Sequence, residues 1–170
     1  MSKATYLIIL LLFSGITAFG QKAVPVYNFD ELEPLLHQQN DTTYVVNFWA
    51  TWCKPCVKEL PAFEQVNTDF NDEKVRVILV SLDFIKNYDS QLIPFVHDRE
   101  IESQVVLLND PRSNQWIDKV SPDWSGAIPA TLIYKNGMRH FFEQSFTYHE
   151  LSNTINTFIK SCAKVQKVPN

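Results

Sequence analysis

The sequence predicts one α/β domain built on a mixed β-sheet flanked by helices. Apolar strand-like runs alternate with helical patterns, Asn136-Gly137 joins two late strands as a hairpin, and an amphipathic helix closes the chain. The 170 residues are 45% hydrophobic, which is enough for one core. A formal net charge of -4 argues against nucleic acid as the main partner.

The first twenty residues have the pattern of a secretory signal peptide. Lys3 supplies a positive charge, Tyr6–Phe13 an apolar segment and Ser14–Gly20 a run of mostly small residues. Cleavage is predicted after Gly20, which leaves 21–170 as an exported, periplasmic domain with no stable membrane anchor. The apolar run is shorter than the roughly 20 residues that cross a bilayer, so an uncleaved anchor is the weaker alternative.

The first half of the domain is predicted to run helix, strand, helix, strand. Asp30 and Glu33 have the spacing of a capping box, which predicts a helix through about Gln39. Thr43–Trp49 is rich in aromatic and β-branched residues, and its nearly continuous apolar character predicts a central strand buried on both faces. A helix begins at the cysteine pair that follows, and Pro61 is predicted to kink rather than end it.

The second half adds strands and helices in alternation, which predicts parallel pairing before the hairpin. Thr147 and Glu150 form a second capping box that opens the last helix. One face of that helix is apolar, formed by Leu151, Ile155, Phe158 and Cys162. The other predicted elements are strands over Lys74–Asp83 and Gln104–Leu108, helical segments over Ser90–Glu100 and Ser113–Val120, and the hairpin over 130–142.

Cys53 and Cys56 are two residues apart at the predicted start of a helix. A structural disulfide here would close a very small loop and would stabilise the fold little. Unpaired N–H groups and the helix dipole stabilise a thiolate at this position, so Cys53 is the predicted nucleophile, with Lys54 adding positive charge. Cys56, about one turn further in, is predicted to resolve the mixed disulfide. Cys162 is predicted to be a small buried apolar residue.

Three segments carry a resemblance to a known family: "VVNFWATWCKPCVKELP", "VILVSLD" and "WSGAIPATLIYKNG". With the order of the elements, they resemble the exported TlpA/ResA-like thiol-disulfide oxidoreductases of the thioredoxin superfamily. The resemblance implies a thioredoxin-like fold with an αβ insertion between its βαβ half and its C-terminal ββα half. It also implies a disulfide reductase that needs no cofactor. Its partners would be exported protein disulfides, cytochrome c maturation among the choices, and an upstream redox protein.

The resemblance adds two residues to the predicted catalytic set. It implies that Pro129 follows a cis peptide bond and lies against the cysteines. Thioredoxin carries a buried aspartate six residues before its first cysteine, where this chain has Asn47, which cannot titrate. The family commonly has a glutamate at the position of Glu59, three residues after Cys56. Such a group would raise the thiol pKa by charge repulsion and accept a proton from Cys56, whereas composition alone favours a solvated surface glutamate.

Residues beside the cysteines are predicted to bind the substrate. The backbone of Ile128 is expected to pair with an extended substrate segment, because Gly126 and Ala127 leave room for it. Trp52 is predicted to border the site. Trp124 is predicted either to form a wall of the same groove or to be an ordinary packing aromatic.

The sequence leaves open three alternatives to thiol-disulfide exchange. A metal site would need more ligands than the cysteine pair, and His140 is the only candidate histidine for a copper carrier. A thioredoxin-like peroxidase would need a threonine and a proline placed differently around its cysteine. A binding module with inert cysteines would use exposed Trp52 and Trp124 as its docking surface. The sequence does not decide the direction of electron flow, the substrate or the oligomeric state.

Overall fold

The computed structural model of the protein describes residues 24–165. The predicted signal peptide, residues 1–20, and its cleavage position lie outside the described residues. Within these residues, six strands form one sheet: β1 (Val26–Tyr27), β2 (Thr43–Trp49), β3 (Val75–Ser81), β4 (Gln104–Leu108), β5 (Ala130–Lys135) and β6 (Met138–Phe142). The same part of the chain contains five α-helices: α1 (Phe29–Leu32), α2 (Lys54–Asp69), α3 (Ile93–Asp98), α4 (Ser113–Val120) and α5 (Tyr148–Val165).

The sheet is mixed, as predicted, with the order β1-β4-β3-β2-β5-β6. The strand β2 pairs in parallel with β3 and antiparallel with β5, and the hairpin places β6 at the edge. Six of the seven residues of β2 are buried, because helices cover both faces of a central strand. The segment between β3 and β5 contains α3, β4 and α4, so the predicted αβ insertion is confirmed.

Two apolar cores lie on opposite faces of the sheet. Alternate residues of β2 divide between them: Val45 and Trp49 face one core, and Val46 and Phe48 face the other. The helices α2 and α5 cover the first face, and the cysteine pair belongs to this core. Each face of the strand thus has its own set of partners, which fixes its register.

The prediction for the first helix is wrong in its N-cap residue and in its length. Asn28, not Asp30, caps α1, because its side chain accepts from Glu31 N while the Glu31 carboxylate accepts from Asn28 N. The α-helix ends at Leu32 and continues as a 3₁₀ turn over Glu33–Leu36 that contains Pro34. Proline has no N–H to donate to an α-helical carbonyl, so a tighter turn replaces the longer helix.

The remaining elements agree with the predicted order. The helix α2 continues through Pro61, and Thr147 with Glu150 forms the predicted capping box before α5. The helical segment after β3 begins with a 3₁₀ turn, Ile85–Asn87, and a π-helical turn, Tyr88–Leu92, before α3. The strand β1 was not predicted, since two residues carry no periodic signal. Between residues 24 and 165, no helix is long and apolar enough to span a bilayer.

Candidate active site

The cysteine pair forms a disulfide at the N-terminus of α2. Cys53 has extended backbone angles, and its Sγ accepts a hydrogen bond from the backbone N–H of Cys56 over 3.3 Å, so the sulfur itself caps the helix. Pro55 occupies the first turn, where its missing N–H costs no helical hydrogen bond. Cys53 is 6% exposed and Cys56 is fully buried, which is the predicted order of accessibility.

A cis peptide bond joins Ile128 to Pro129, as the resemblance implied. The carbonyl oxygen of Ile128 lies 3.9 Å from Cys53 Sγ, so the loop before β5 borders the disulfide directly. Pro129 is buried, whereas Gly126 and Ala127 before it are exposed. The approach to Cys53 therefore lies along an open backbone segment.

Glu59 is buried on α2, with 4% of its surface exposed. Its Oε1 accepts from the side-chain amide of Asn47 over 2.9 Å, and its Oε2 accepts from the backbone N–H of Phe146 over 2.8 Å. Burial raises the pKa of Glu59 to about 7, and the hydrogen bonds from Phe146 and Asn47 oppose that rise. The alternative of a solvated surface glutamate is therefore wrong.

Asn47 connects this carboxylate to the centre of the sheet. Its amide nitrogen also lies 3.2 Å from Thr131 Oγ1 and 3.5 Å from the carbonyl oxygen of Ala130. Its Oδ1 is buried and has no hydrogen-bond partner within the part of the chain that the structure describes. The position that holds an aspartate in thioredoxin thus holds a neutral residue that donates to the buried glutamate.

The loop between β2 and α2 is held by a carboxylate that the sequence analysis did not single out. Asp83 is 3% exposed and accepts from Thr51 N over 3.0 Å, from Thr51 Oγ1 over 2.5 Å and from Ser81 Oγ over 2.8 Å. Its position in the sequence could have identified Asp83, because it follows a buried strand whose carboxyl end lies beside that of β2. It ties the backbone two residues before Cys53 to β3.

The two tryptophans assigned to substrate binding differ in exposure. Trp52 is 54% exposed and directly precedes Cys53. Trp124 is 4% exposed, packs against Phe48 and Trp116, and donates its indole N–H to the carbonyl oxygen of Ala127 over 2.8 Å. Trp124 is therefore not the exposed docking aromatic that the binding-module alternative requires, but it lines a cleft together with Gly126, so its part in a groove wall stays a prediction. Its large apolar surface is buried against other aromatic rings, and its polar atom supports the turn before Pro129.

The side chains raised by the metal alternative lie elsewhere. His140 is on β6 and packs the edge of its ring against Phe158 at 5.1 Å between ring centroids. Cys162 is 7% exposed, with its Sγ 3.4 Å from the sulfur of Met138, and burial raises the pKa of its thiol. Within residues 24–165, no group of three or more His, Cys, Asp or Glu side chains is arranged to hold a metal ion.

The chain matches a family model and several known proteins in sequence. The AhpC/TSA family model matches residues 26–138, which is more than half of the chain. The chain belongs to the AhpC/TSA family. Thiol-disulfide oxidoreductase ResA of Oceanobacillus iheyensis is 36% identical over 66 residues, covering 34% of this chain and 34% of that protein. Thioredoxin-like protein YneN of Bacillus subtilis is 32% identical over 63 residues, covering 37% of this chain and 36% of that protein.

These alignments span about a third of the length of the curated relatives. Solved structures show the fold over a larger part of the AhpC/TSA chain. A DsbF homologue from Corynebacterium diphtheriae superposes with a TM-score of 0.57 at 24% identity, covering 69% of this chain and 73% of that one. A thioredoxin family protein from Chlorobium tepidum superposes with a TM-score of 0.57 at 17% identity, covering 69% and 79%. The fold is therefore thioredoxin-like.

Proposed function

We propose that the protein is a thiol-disulfide oxidoreductase that exchanges disulfides with exported protein substrates through Cys53 and Cys56. The observation that carries the proposal is the disulfide at the N-terminus of α2, with Cys53 Sγ 3.9 Å from the carbonyl oxygen before the cis proline. A sulfur that caps a helix is placed where backbone N–H groups stabilise a thiolate, the reactive species in exchange.

The proposed reaction moves two electrons from the protein to the substrate. The Cys53 thiolate attacks one sulfur of a substrate disulfide, and the other substrate sulfur leaves as a thiolate. The Cys56 thiol then loses its proton and attacks Cys53 Sγ. That attack breaks the mixed disulfide, releases the second substrate thiol and leaves the Cys53–Cys56 disulfide that the structure contains. An upstream dithiol protein would return the pair to its reduced state.

Glu59 is the proposed proton acceptor for Cys56. It lies three residues further along α2, so the two side chains share nearly the same face of the helix. A pKa of about 7 leaves the carboxylate able to take up a proton near neutral pH and to release it again. Asn47 and Phe146 hold the two oxygens, which makes their donors positioning groups for this step.

Reduction is the proposed direction in the cell. A buried negative charge near the pair disfavours the thiolates, and a dithiol whose thiolates are disfavoured is a stronger reductant. The N-terminal pattern supports export to the periplasm, and ResA is by its name a thiol-disulfide oxidoreductase. Apocytochrome c is one candidate among exported substrates, and a reduction potential measured on the mature domain would test the direction.

Substrate binding is proposed to use the backbone before the cis proline. The Ile128 carbonyl faces Cys53, and the open segment at Gly126 and Ala127 allows an extended chain to approach as an added strand. Trp52 would contact the same segment, since more than half of its surface is exposed beside Cys53. Trp124 would support the turn through its hydrogen bond to Ala127 and form part of the groove wall beside Gly126.

The exchange assay uses insulin reduction by the mature protein. Cys53→Ala should abolish activity, whereas Cys56→Ala should accumulate a mixed disulfide through Cys53. Cys162→Ser is the matched control and should leave activity intact, because that sulfur packs against Met138 rather than at the site. Insulin reductase activity in Cys53→Ala would show that the roles are wrongly assigned.

A peroxidase function has less support from the same geometry. A threonine hydroxyl that oriented a peroxide would have to point at the reactive sulfur. The hydroxyl of Thr51 instead donates to Asp83 Oδ1 over 2.5 Å, and Trp52 stands between Thr51 and Cys53 in the chain. Consumption of hydrogen peroxide by the reduced protein, compared with insulin reduction, separates the two activities.

A further inference from the structure

Exposed apolar side chains are concentrated beside Cys53. Trp52, Phe84 and Ile85 are 54%, 61% and 47% exposed. Only two other large hydrophobic side chains between residues 24 and 165, Val26 and Val165, are exposed. Exposed apolar surface that is grouped rather than scattered marks a place where another molecule is bound.

A pair of hydrogen bonds brings this group together. Thr51 donates its backbone N–H and its hydroxyl to the two oxygens of Asp83, over 3.0 and 2.5 Å. Trp52 follows Thr51 in the chain and Phe84 follows Asp83, so each aromatic residue is one position from the bonded pair. The loop before Cys53 and the loop after β3 are therefore held side by side.

Two exposed lysines lie on α2, after the loop that carries Trp52, and a third directly follows Phe84 and Ile85. Lys54 and Lys58 are exposed one turn apart on α2, and the Nζ of Lys86 lies 5.6 Å from the ring centroid of Phe84. None of the three forms a salt bridge within residues 24–165. Asp89 is the exposed carboxylate nearest to Lys86 in the chain. These three lysines, on a chain of net charge -4, favour an acidic partner.

A cleft of about 610 Å³ extends from the loop after β3 to the turn before the cis proline, and the carboxylates of Asp83 and Asp110 in its lining are each hydrogen-bonded within the protein. Phe84, Ile85 and Lys86 line one part of it, and Ile117 and Gly126 line another. Gly126 lies three residues before the cis proline, in the backbone proposed to pair with substrate. A chain that runs along this backbone can therefore place a neighbouring side chain in the cleft.

We propose that Trp52, Phe84, Ile85, Lys54, Lys58 and Lys86 form a docking surface for an extended acidic and apolar segment that flanks the target cysteine of an unfolded protein. The proposal rests on the proposed exchange function and specifies its substrates. The apolar residues would bind an aromatic or aliphatic side chain next to the cysteine, and the lysines would attract carboxylates further along. Folded proteins rarely expose such a segment, which favours non-native chains.

The experiment compares synthetic peptides, each carrying one cysteine as a mixed disulfide with 2-mercaptoethanol. One has phenylalanine beside the cysteine and two glutamates, a second replaces the glutamates by lysines, and a third replaces the phenylalanine by serine. Second-order rate constants for their reduction by the reduced protein are measured at low and high salt. Neutral bis(2-hydroxyethyl) disulfide reports the exchange chemistry without a docked segment.

We expect the glutamate peptide to react about tenfold faster than the lysine peptide at low salt, with the ratio falling toward one at high salt. Lys58→Glu and Lys86→Glu should reduce that ratio, whereas Lys160→Glu, exposed on α5, is the matched control. Phe84→Ala should slow the phenylalanine peptide about fivefold and leave the serine peptide unchanged. None of these variants should change the rate with the small disulfide.

Equal rates for all three peptides, with normal reduction of the small disulfide, would overturn the docking surface and leave the exchange function standing. The same holds if Lys160→Glu changed the ratio as much as Lys86→Glu, since the effect would then come from net charge. Failure to reduce the small disulfide would overturn the exchange function and the docking proposal with it.

Discussion

Asn47 and Glu59 share a hydrogen bond inside the protein, with the amide nitrogen 2.9 Å from Oε1 of the carboxylate. It links the central strand β2 to the helix that carries the cysteines. The other donor to Glu59 within the described part of the chain is the backbone N–H of Phe146, so both donors are neutral. Because burial outweighs these hydrogen bonds, the pKa of the carboxyl rises to about 7 and becomes sensitive to each donor.

Glu59→Gln should slow resolution of the mixed disulfide at neutral pH and lower the pKa of the active-site thiols. The variant loses both the proton acceptor and the negative charge that disfavours a thiolate. Thiol absorbance against pH and single-turnover exchange measure the two effects. Glu64→Gln is the matched control, since that glutamate on α2 accepts from the backbone N–H of Glu102. Unchanged titration and rates in Glu59→Gln would leave Glu59 a purely structural group.

The same substitution should change how stability depends on pH. The folded pKa of Glu59 lies above its ordinary 4.5, so folding favours the protonated form. Glu59 therefore contributes most to the free energy of unfolding below pH 4.5. This contribution falls by about 3 kcal/mol in total as the pH rises to about 7. Glu59→Gln does not titrate, so urea unfolding should show it gaining stability relative to the natural protein across this range. A constant difference would contradict the raised pKa.

Asn47→Ala should raise the pKa of Glu59 above about 7. The amide hydrogen bond favours the charged carboxylate, and its loss leaves Phe146 as the remaining donor. Carbon-13 NMR titration of the glutamate carboxyl carbons measures the shift. Thr131→Val removes another hydrogen-bond partner of Asn47 without touching the glutamate, and should leave the titration close to that of the natural protein.

Gly126→Ala should destabilise the fold more than Gly137→Ala. Both glycines have positive φ, +93° and +85°, where an added Cβ costs about 1–2 kcal/mol. At Gly126 the Cβ would also lie 3.2 Å from Ile117 Cδ1, whereas at Gly137 it meets open space. Both variants carry the same backbone strain. The difference between their free energies of unfolding, measured with urea, therefore reports the contact with Ile117. Equal losses would mean that Ile117 moves aside freely.

Thr51→Val should destabilise the loop before Cys53 by about 1 kcal/mol, because the Asp83 carboxylate loses one of its three donors. Thr51→Ser keeps the hydroxyl and should retain most of the stability. Insulin reduction should fall in the valine variant more than in the serine variant, since Trp52 and Cys53 follow in the same loop. Identical activities would show that the backbone hydrogen bond of Thr51 alone suffices.

Long periodic patterns and local motifs predicted most of the fold. The strand Thr43–Trp49 and the helix Ser113–Val120 have the predicted bounds, because apolar runs and flanking turns determine both ends. The bounds of the first helix were predicted wrongly, because Asn28 rather than Asp30 caps it and a 3₁₀ turn that contains Pro34 follows Leu32. A sequence pattern does not show which of two adjacent caps the backbone uses.

The candidate site was predicted only where the residues are close in the chain or belong to a known pattern. Cys53, Cys56, Glu59 and Pro129 were predicted in that way. The burial of Trp124 and the binding of Thr51 by Asp83 depend on contacts between elements far apart in sequence. The backbone N–H of Phe146, which donates to Glu59, is likewise 87 positions away in the chain. The sequence does not indicate which backbone N–H will donate to a given side chain.

The two-residue strand β1 has a consequence for solubility. The carbonyl oxygens of Pro25, just before it, and of Tyr27 accept from the N–H groups of Leu107 and Asn109, and β1 covers β4, in which Val105–Leu108 are all buried. A protein shortened to begin after Tyr27 would leave the outer backbone groups of this apolar strand unpaired. Such a strand invites pairing with the same strand of another molecule. Removing the residues up to Tyr27 therefore risks aggregation during expression, even though the cysteine site follows β2 in another part of the sheet.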